Sequence, residues 1–368
     1  MAGEKKFVFL AHWVENSNWL LWYVKDLHRH PEHAKRWFFL WPICALMSLL
    51  YLKGKRSYDV VDEFSFGNAL KGETYLLRNM AWHFMLTART KIFLFRALRL
   101  FLGSKADNII SRICESVISA QEKGADVVGL GALVKAEGLT AGGQKIIQRL
   151  GERLRIPVVH GDTLTAATVI RQVNRLIERF KIDSPVVFLT GATSKIGRAT
   201  AITLAKARIT VKMYTGSEKR FQRIQKEAGD SAIYLEWAES LQDGQDCKIW
   251  ITGKATPANQ RLLRYIPKGA VVLNFSVPNP LSSRVIRSLT DIYAVEGGLL
   301  AYDPKITNLA FTMRLWPGVT YACHAGTMVH AYKGWTHNEV SHIDLDQLDV
   351  VWEASEELGF FLPPLPGR

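Results

Sequence analysis

Seven short β-branched runs, spaced by helix-length segments, constrain this 368-residue chain more than any other feature of it. They are Asp126 to Leu130, Pro157 to Val159, Pro185 to Thr190, Thr210 to Thr215, Cys247 to Thr252, Ala270 to Phe275 and Asp291 to Val295. Short buried strands that recur between helical patterns imply a parallel sheet with crossover helices, so the fold class is α/β. Two runs precede Lys181 and five follow it. The chain also exceeds the ~100–200 residues of a usual single core, so two lobes are expected.

The most specific local motif follows the third run: Thr190-Gly191-Ala192-Thr193-Ser194-Lys195-Ile196-Gly197, leading into a helix that begins Arg198-Ala199. A backbone that leaves a buried strand, turns sharply and aims its amides at a phosphate needs residues without a Cβ at the turn. Gly191 and Gly197 meet that need, and a helix N-terminus presents N–H groups to an anion. Residues Gly191, Ala192, Thr193, Ser194, Lys195, Ile196 and Gly197 are therefore expected to hold a dinucleotide on a Rossmann-like sheet. The loop resembles that of short-chain dehydrogenases, with Lys195 where one glycine is expected, yet no Tyr-x-x-x-Lys pair follows Gly197 to donate a proton. At the end of the next strand, where an acid would accept from a ribose hydroxyl, the chain reads Tyr214-Thr215-Gly216-Ser217-Glu218-Lys219-Arg220. The strand tip carries no acid, and Thr215, Ser217 and Arg220 suit a 2′-phosphate, which makes NADPH the expected cofactor.

Charge is uneven. The net +13 concentrates in residues 141–270, which carry 22 Lys/Arg against 11 Asp/Glu, as suits an anionic ligand. No recognition helix, zinc motif or RNA-binding aromatic signature accompanies it, so nucleic acid is not the expected partner. Six of the eleven tryptophans (Trp13, Trp19, Trp22, Trp37, Trp41, Trp82) lie in the first 82 residues among cations, an interfacial composition. The uncharged run Trp37 to Leu52 falls short of the ~20 residues that span a bilayer. Arg89 to Leu102 reads as an amphipathic helix lying in an interface or lining a lipid pocket, or equally as a core-facing helix with a basic edge. The expected location is cytoplasmic and peripherally membrane-associated. The four cysteines form no CxxC pair and the histidines no ligand pattern, so neither disulfides nor a metal is expected.

Cys323 lies in Val319-Thr320-Tyr321-Ala322-Cys323-His324-Ala325-Gly326-Thr327, among small residues and near the start of a helix, which favours thiolate. An isolated cysteine is also an ordinary small hydrophobe. Cys323 and the adjacent His324 are the candidate catalytic residues. The expected divisions are a hydrophobic, Trp-rich helical region (1–104), a smaller α/β unit (105–180), a nucleotide-binding unit (181–320) and a returning helical segment (321–368).

Four segments in one order, VVHGDTLTAA, VFLTGATSKIGRA, RFQRIQKEAG and ACHAGTMVHAYKGW, resemble the C-terminal domain of plant eceriferum proteins of wax and alkane synthesis. More distantly they resemble cyanobacterial long-chain acyl-[acyl-carrier-protein] reductases. The resemblance implies NADPH-dependent reduction of a fatty acyl thioester to an aldehyde through an acyl-Cys323 intermediate. It also implies substrate contacts near Gly131, His160, Asp162 and Thr163, with acyl-CoA or acyl carrier protein as thioester donor. Asp162 stands where that pattern has Asn. The alternative is a non-catalytic, membrane-associated partner of an aldehyde-consuming or alkane-forming enzyme.

Overall fold

The computed structural model describes residues 4–13, 56–80, 84, 106–253, 264–276, 291–311, 313 and 315–367. The chain divides into two compact units. The first comprises Met1–Gly161, Asp303–Gly318 and Thr327–His342; the second comprises Asp162–Tyr302, Val319–Gly326 and Ile343–Arg368.

The first unit is built on a five-stranded sheet of order β2-β3-β1-β4-β5. Its strands are β1 (Lys5–Trp13), β2 (Tyr58–Phe66), β3 (Leu70–Met80), β4 (Val127–Leu130) and β5 (Val158–Val159). β1 runs parallel to both β3 and β4, and β2 pairs antiparallel with β3. Phe7 to Ala11 are all buried, as a central parallel strand covered on both faces requires. Helix α1 (Ala106–Glu122) lays Ile109, Ile113, Val117 and Ala120 into this core at helical spacing. β5 is extended sideways by Glu339, whose amide and carbonyl bond Val158 and His160 at 3.0 and 2.8 Å.

Two expectations change here. The described residues before 104 are mainly strands, not helices, because runs such as Phe7-Val8-Phe9-Leu10 are short, apolar and buried on both faces. The pairing of β1 with β4 also carries the sheet across the expected boundary at 104/105. The Trp-rich stretches, Trp37 to Leu52, Arg89 to Leu102 and Cys44 lie outside the described residues. No helix among the described residues is long and apolar enough to cross a membrane.

The second unit contains a six-stranded, wholly parallel sheet. Its strands are β6 (Val186–Thr190), β7 (Thr210–Tyr214), β8 (Leu235–Ala238), β9 (Ile249–Thr252), β10 (Val271–Asn274) and β11 (Tyr293–Glu296). Across the sheet they run β8-β7-β6-β9-β10-β11. This is the order 3-2-1-4-5-6 of the Rossmann fold, with its direction reversing between β6 and β9. An antiparallel pair, β12 (Leu299–Ala301) and β13 (Val319–Tyr321), completes the unit's strands. The helices are α2 (Asp162–Phe180), α3 (Lys195–Lys206), α4 (Glu218–Ala228), α5 (Ala322–Lys333) and α6 (Gln347–Glu357), of which α5 continues into the first unit's residues. All seven β-branched runs are strands, and the parallel α/β class holds. β8 has no sequence signal because two of its four residues, Glu236 and Trp237, are exposed.

Trp250 on β9 fixes one face of this sheet. It is fully buried, its ring centroid lies 4.3 Å from that of Phe188, and its indole N–H donates to the Gly244 carbonyl at 2.9 Å. Trp250→Ala is expected to cost about 3–5 kcal/mol in urea denaturation, through lost burial and the cavity left behind.

Candidate functional site

The loop after β6 opens at the point where the strand order reverses. Gly191 has φ +70°, and a Cβ there would lie 2.8 Å from the carbonyl carbon and oxygen of Gly253 at the end of β9. A Cβ on Gly197 would collide with the Gly191 carbonyl oxygen, and one on Gly253 would run into the Phe275 ring. Three glycines thus let two turns and a helix start close together at the C-terminal edge. Ser194 caps α3 by accepting from the Gly197 amide at 3.1 Å, and Gly253 N–H is held by Thr190. A helix N-terminus entered through such a turn suits an anion.

Lys195, the first residue of α3, pairs with Asp162, the first of α2, at 3.1 Å; their side chains are 12% and 5% exposed. Both residues depart from the patterns they otherwise resemble, and the structure joins them. The Asp162 carboxylate at a helix N-terminus also meets the favourable end of its dipole. Thr163, buried in the first turn of α2, is next to it in sequence.

The strand tips carry a polar row that sequence reasoning missed. Thr190, Thr252, Asn274 and Glu296 are the last residues of β6, β9, β10 and β11, and they stand in register. Thr252 Oγ1 donates to Asn274 Oδ1 at 3.0 Å, and Asn274 Nδ2 donates to Glu296 at 2.9 Å and to the Ser276 carbonyl at 3.1 Å. Only strand register reveals this row, because the residues are separated by 22 positions or more.

At the tip of β7, Thr215 is nearly buried and its Oγ1 accepts from the Ser217 amide at 3.3 Å. Ser217 precedes α4, on whose first turn Lys219 and Arg220 are exposed. Glu218, the nearest acid, accepts from Gln222 at 3.0 Å.

Cys323 and His324 begin α5. Burial raises the thiols of Cys114 and of Cys247, the latter to about 12, whereas Cys323 is only half-buried. His324 is wholly buried, its Nδ1 lies 3.1 Å from Thr320 Oγ1, and burial lowers its pKa to about 3. It is neutral at physiological pH and offers a hydrogen bond, not a charge.

Gly131 and His160 belong to the first unit. Gly131 donates to the Leu10 carbonyl at 2.7 Å, and a Cβ there would lie 2.7 Å from the Phe9 ring, so its own role is close backbone approach. His160 is buried with Nδ1 2.9 Å from Glu339, a partner that sequence did not single out. Among the described residues no His, Cys, Asp or Glu cluster could hold a metal.

Residues 187–363 match the family model described as CER1-like, C-terminal domain. The chain carries a CER1-like C-terminal domain. It is homologous to plant proteins named as very-long-chain aldehyde decarbonylases. It shares 33% identity over 355 residues with GL1-1 of Oryza sativa, covering 95% of this chain and 52% of that protein. With GL1-2 of rice it shares 37% over 262 residues, covering 70% and 39% respectively. The chain thus spans about half the length, or less, of these curated relatives. Among solved structures, L-tryptophan dehydrogenase from Nostoc punctiforme aligns over 97% of this chain and 80% of its own at TM-score 0.44 and 10% identity. Quinate dehydrogenase from Corynebacterium glutamicum, in complex with NAD, aligns over 66% and 82% at TM-score 0.35 and 12% identity.

These relatives overturn the expected acyl-thioester reductase. Proteins homologous over 95% and 70% of the chain are named for an aldehyde, which is what that reduction would have produced. The plant side of the resemblance stands, and the reductase side does not carry over.

The Lys195–Asp162 pair makes a stability prediction. Asp162→Ala leaves a buried ammonium without its carboxylate and is expected to cost about 3–5 kcal/mol. Combining Lys195→Met with Asp162→Asn removes both charges and should restore most of that loss. Urea denaturation of the wild type, the single variant and the double variant measures both.

Proposed function

We propose that this chain serves the conversion of very-long-chain aldehydes for which its rice relatives are named, and that its second unit binds a nicotinamide adenine dinucleotide. The observation that carries the dinucleotide reading is the Gly191–Gly253 approach at the reversal point of a 3-2-1-4-5-6 sheet, followed by a capped helix N-terminus. Gly191 through Gly197 would face the pyrophosphate, and Thr215, Ser217 and Arg220 the adenosine ribose. The dinucleotide, when bound, supplies redox equivalents. NADPH is favoured over NADH because Glu218 is engaged with Gln222, while Ser217 and Arg220 stand near the strand tip. Association with a membrane surface belongs to the same reading, given an apolar substrate and the tryptophans and cations of the first 82 residues.

Cys323 is the residue that would capture the aldehyde. Its sulfur bonds to the carbonyl carbon, the C=O π bond breaks, and the thiol proton ends on the former carbonyl oxygen, giving a reversible thiohemiacetal. His324, held neutral, orients the start of α5 through Thr320.

Two measurements test this reading. In calorimetric titration NADPH should bind at least about tenfold tighter than NADH, a difference of about 1.4 kcal/mol. Gly197→Val should abolish binding of both; equal affinities would remove the 2′-phosphate assignment, and no binding would remove the dinucleotide. Hexacosanal, a very-long-chain aldehyde, should slow iodoacetamide alkylation of Cys323, followed by peptide mass analysis, without protecting the other cysteines. An unchanged rate at Cys323 would end its proposed role.

A further inference from the structure

Trp237 is a large aromatic side chain that stays partly open to solvent at the edge of the second unit's sheet. It lies on β8, one of the two outer strands, opposite Met213 of β7, and 36% of its surface is open. Its Nε1 donates to the Thr215 carbonyl at 3.0 Å, so the side chain reaches from β8 to the tip of β7. Thr215 in turn holds the Ser217 amide, and the Ser217 carbonyl accepts from the Arg220 amide at 3.0 Å. The indole is thus fixed to the same turn that presents Ser217 and Arg220.

That hydrogen bond uses the only polar atom an indole has. What remains for recognition is the π surface, which stacks on flat aromatic or guanidinium groups and does not select among polar ones. In a sheet of this order the tip of the second strand is where the adenosine ribose is read. An adenine ring is the flat part of the dinucleotide that lies at this end. We infer that Trp237 is the stacking platform for the adenine of a bound dinucleotide, with Ser217 and Arg220 meeting the 2′-phosphate of the same adenosine half. This rests on the dinucleotide reading above and adds to it a residue that sets affinity for one half of the ligand.

The test uses adenosine 2′,5′-bisphosphate and NADPH as calorimetric ligands on the full chain. Trp237→Ala should weaken both by about tenfold, within the range of base–aromatic stacking losses. Trp237→Phe keeps a ring but not the N–H and should stay within about threefold of wild type. Rescue by Phe separates stacking from a role in holding the Thr215 turn, and unchanged thermal midpoints show that each variant is folded. If the wild type binds NADPH and Trp237→Ala binds both ligands as tightly, this inference alone fails. It also fails if Phe is as weak as Ala. A wild type that binds neither ligand overturns the dinucleotide reading and this inference together.

Discussion

A side-chain carbon at residue 191 would sit 2.8 Å from the Gly253 carbonyl, and the layout of the second unit's C-terminal edge follows from that intolerance. Because both positions are glycine, the turns after β6 and β9 approach each other where the strand order reverses. Gly197 then lets α3 begin against the first of those turns, and Ser194 spends its hydroxyl on the helix end. Any larger residue at one of these three positions would push a strand tip, a helix start or the Phe275 ring outward. The polar row from Thr190 to Glu296 depends on the same arrangement, since its hydrogen bonds need the strand ends level.

The buried Lys195–Asp162 pair shows what a residue read alone leaves out. A lysine in a glycine-rich loop looks like a phosphate ligand, and an aspartate near the expected substrate loop looks like a substrate ligand. Joined at 3.1 Å between the starts of two helices, each neutralises the other. Their presence together is consistent in a way that either one alone would not be, because an unpaired charge at that depth is costly.

The parts of the fold that could be read in advance are those with a local cause. Runs such as Val186-Val187-Phe188-Leu189 have one stable use, as strands buried on both faces, and all seven runs took it. The glycine turn was legible because its chemistry is contained in eight consecutive residues. β8 was not, since Glu236 and Trp237 face water and its strand character comes from pairing with β7. Strands β1 to β3 were hidden by neighbours rich in tryptophan and arginine, whose composition suggested helices at an interface. The Asn274–Glu296 bond, the His160–Glu339 pair and the Trp237–Thr215 contact join residues 22, 179 and 22 positions apart, and no spacing rule connects them.

Substrate was the least legible property, for a chemical reason. A half-buried thiol at the start of a helix adds to any accessible electrophilic carbonyl, and the first bond it forms is the same with a thioester as with an aldehyde. What separates the two is the leaving group: a thioester expels a thiolate after addition, whereas an aldehyde has no leaving group on its carbonyl carbon and stays a reversible adduct. Cys323 and His324 contain no information on that difference, because both substrates present the same electrophilic carbon to the sulfur. The homologous plant proteins are named for an aldehyde, and the function proposed above takes its substrate class from those names. On the function proposed above, a thiohemiacetal at Cys323 would present the aldehyde, and a thiol beside a neutral imidazole provides no more than that reversible addition.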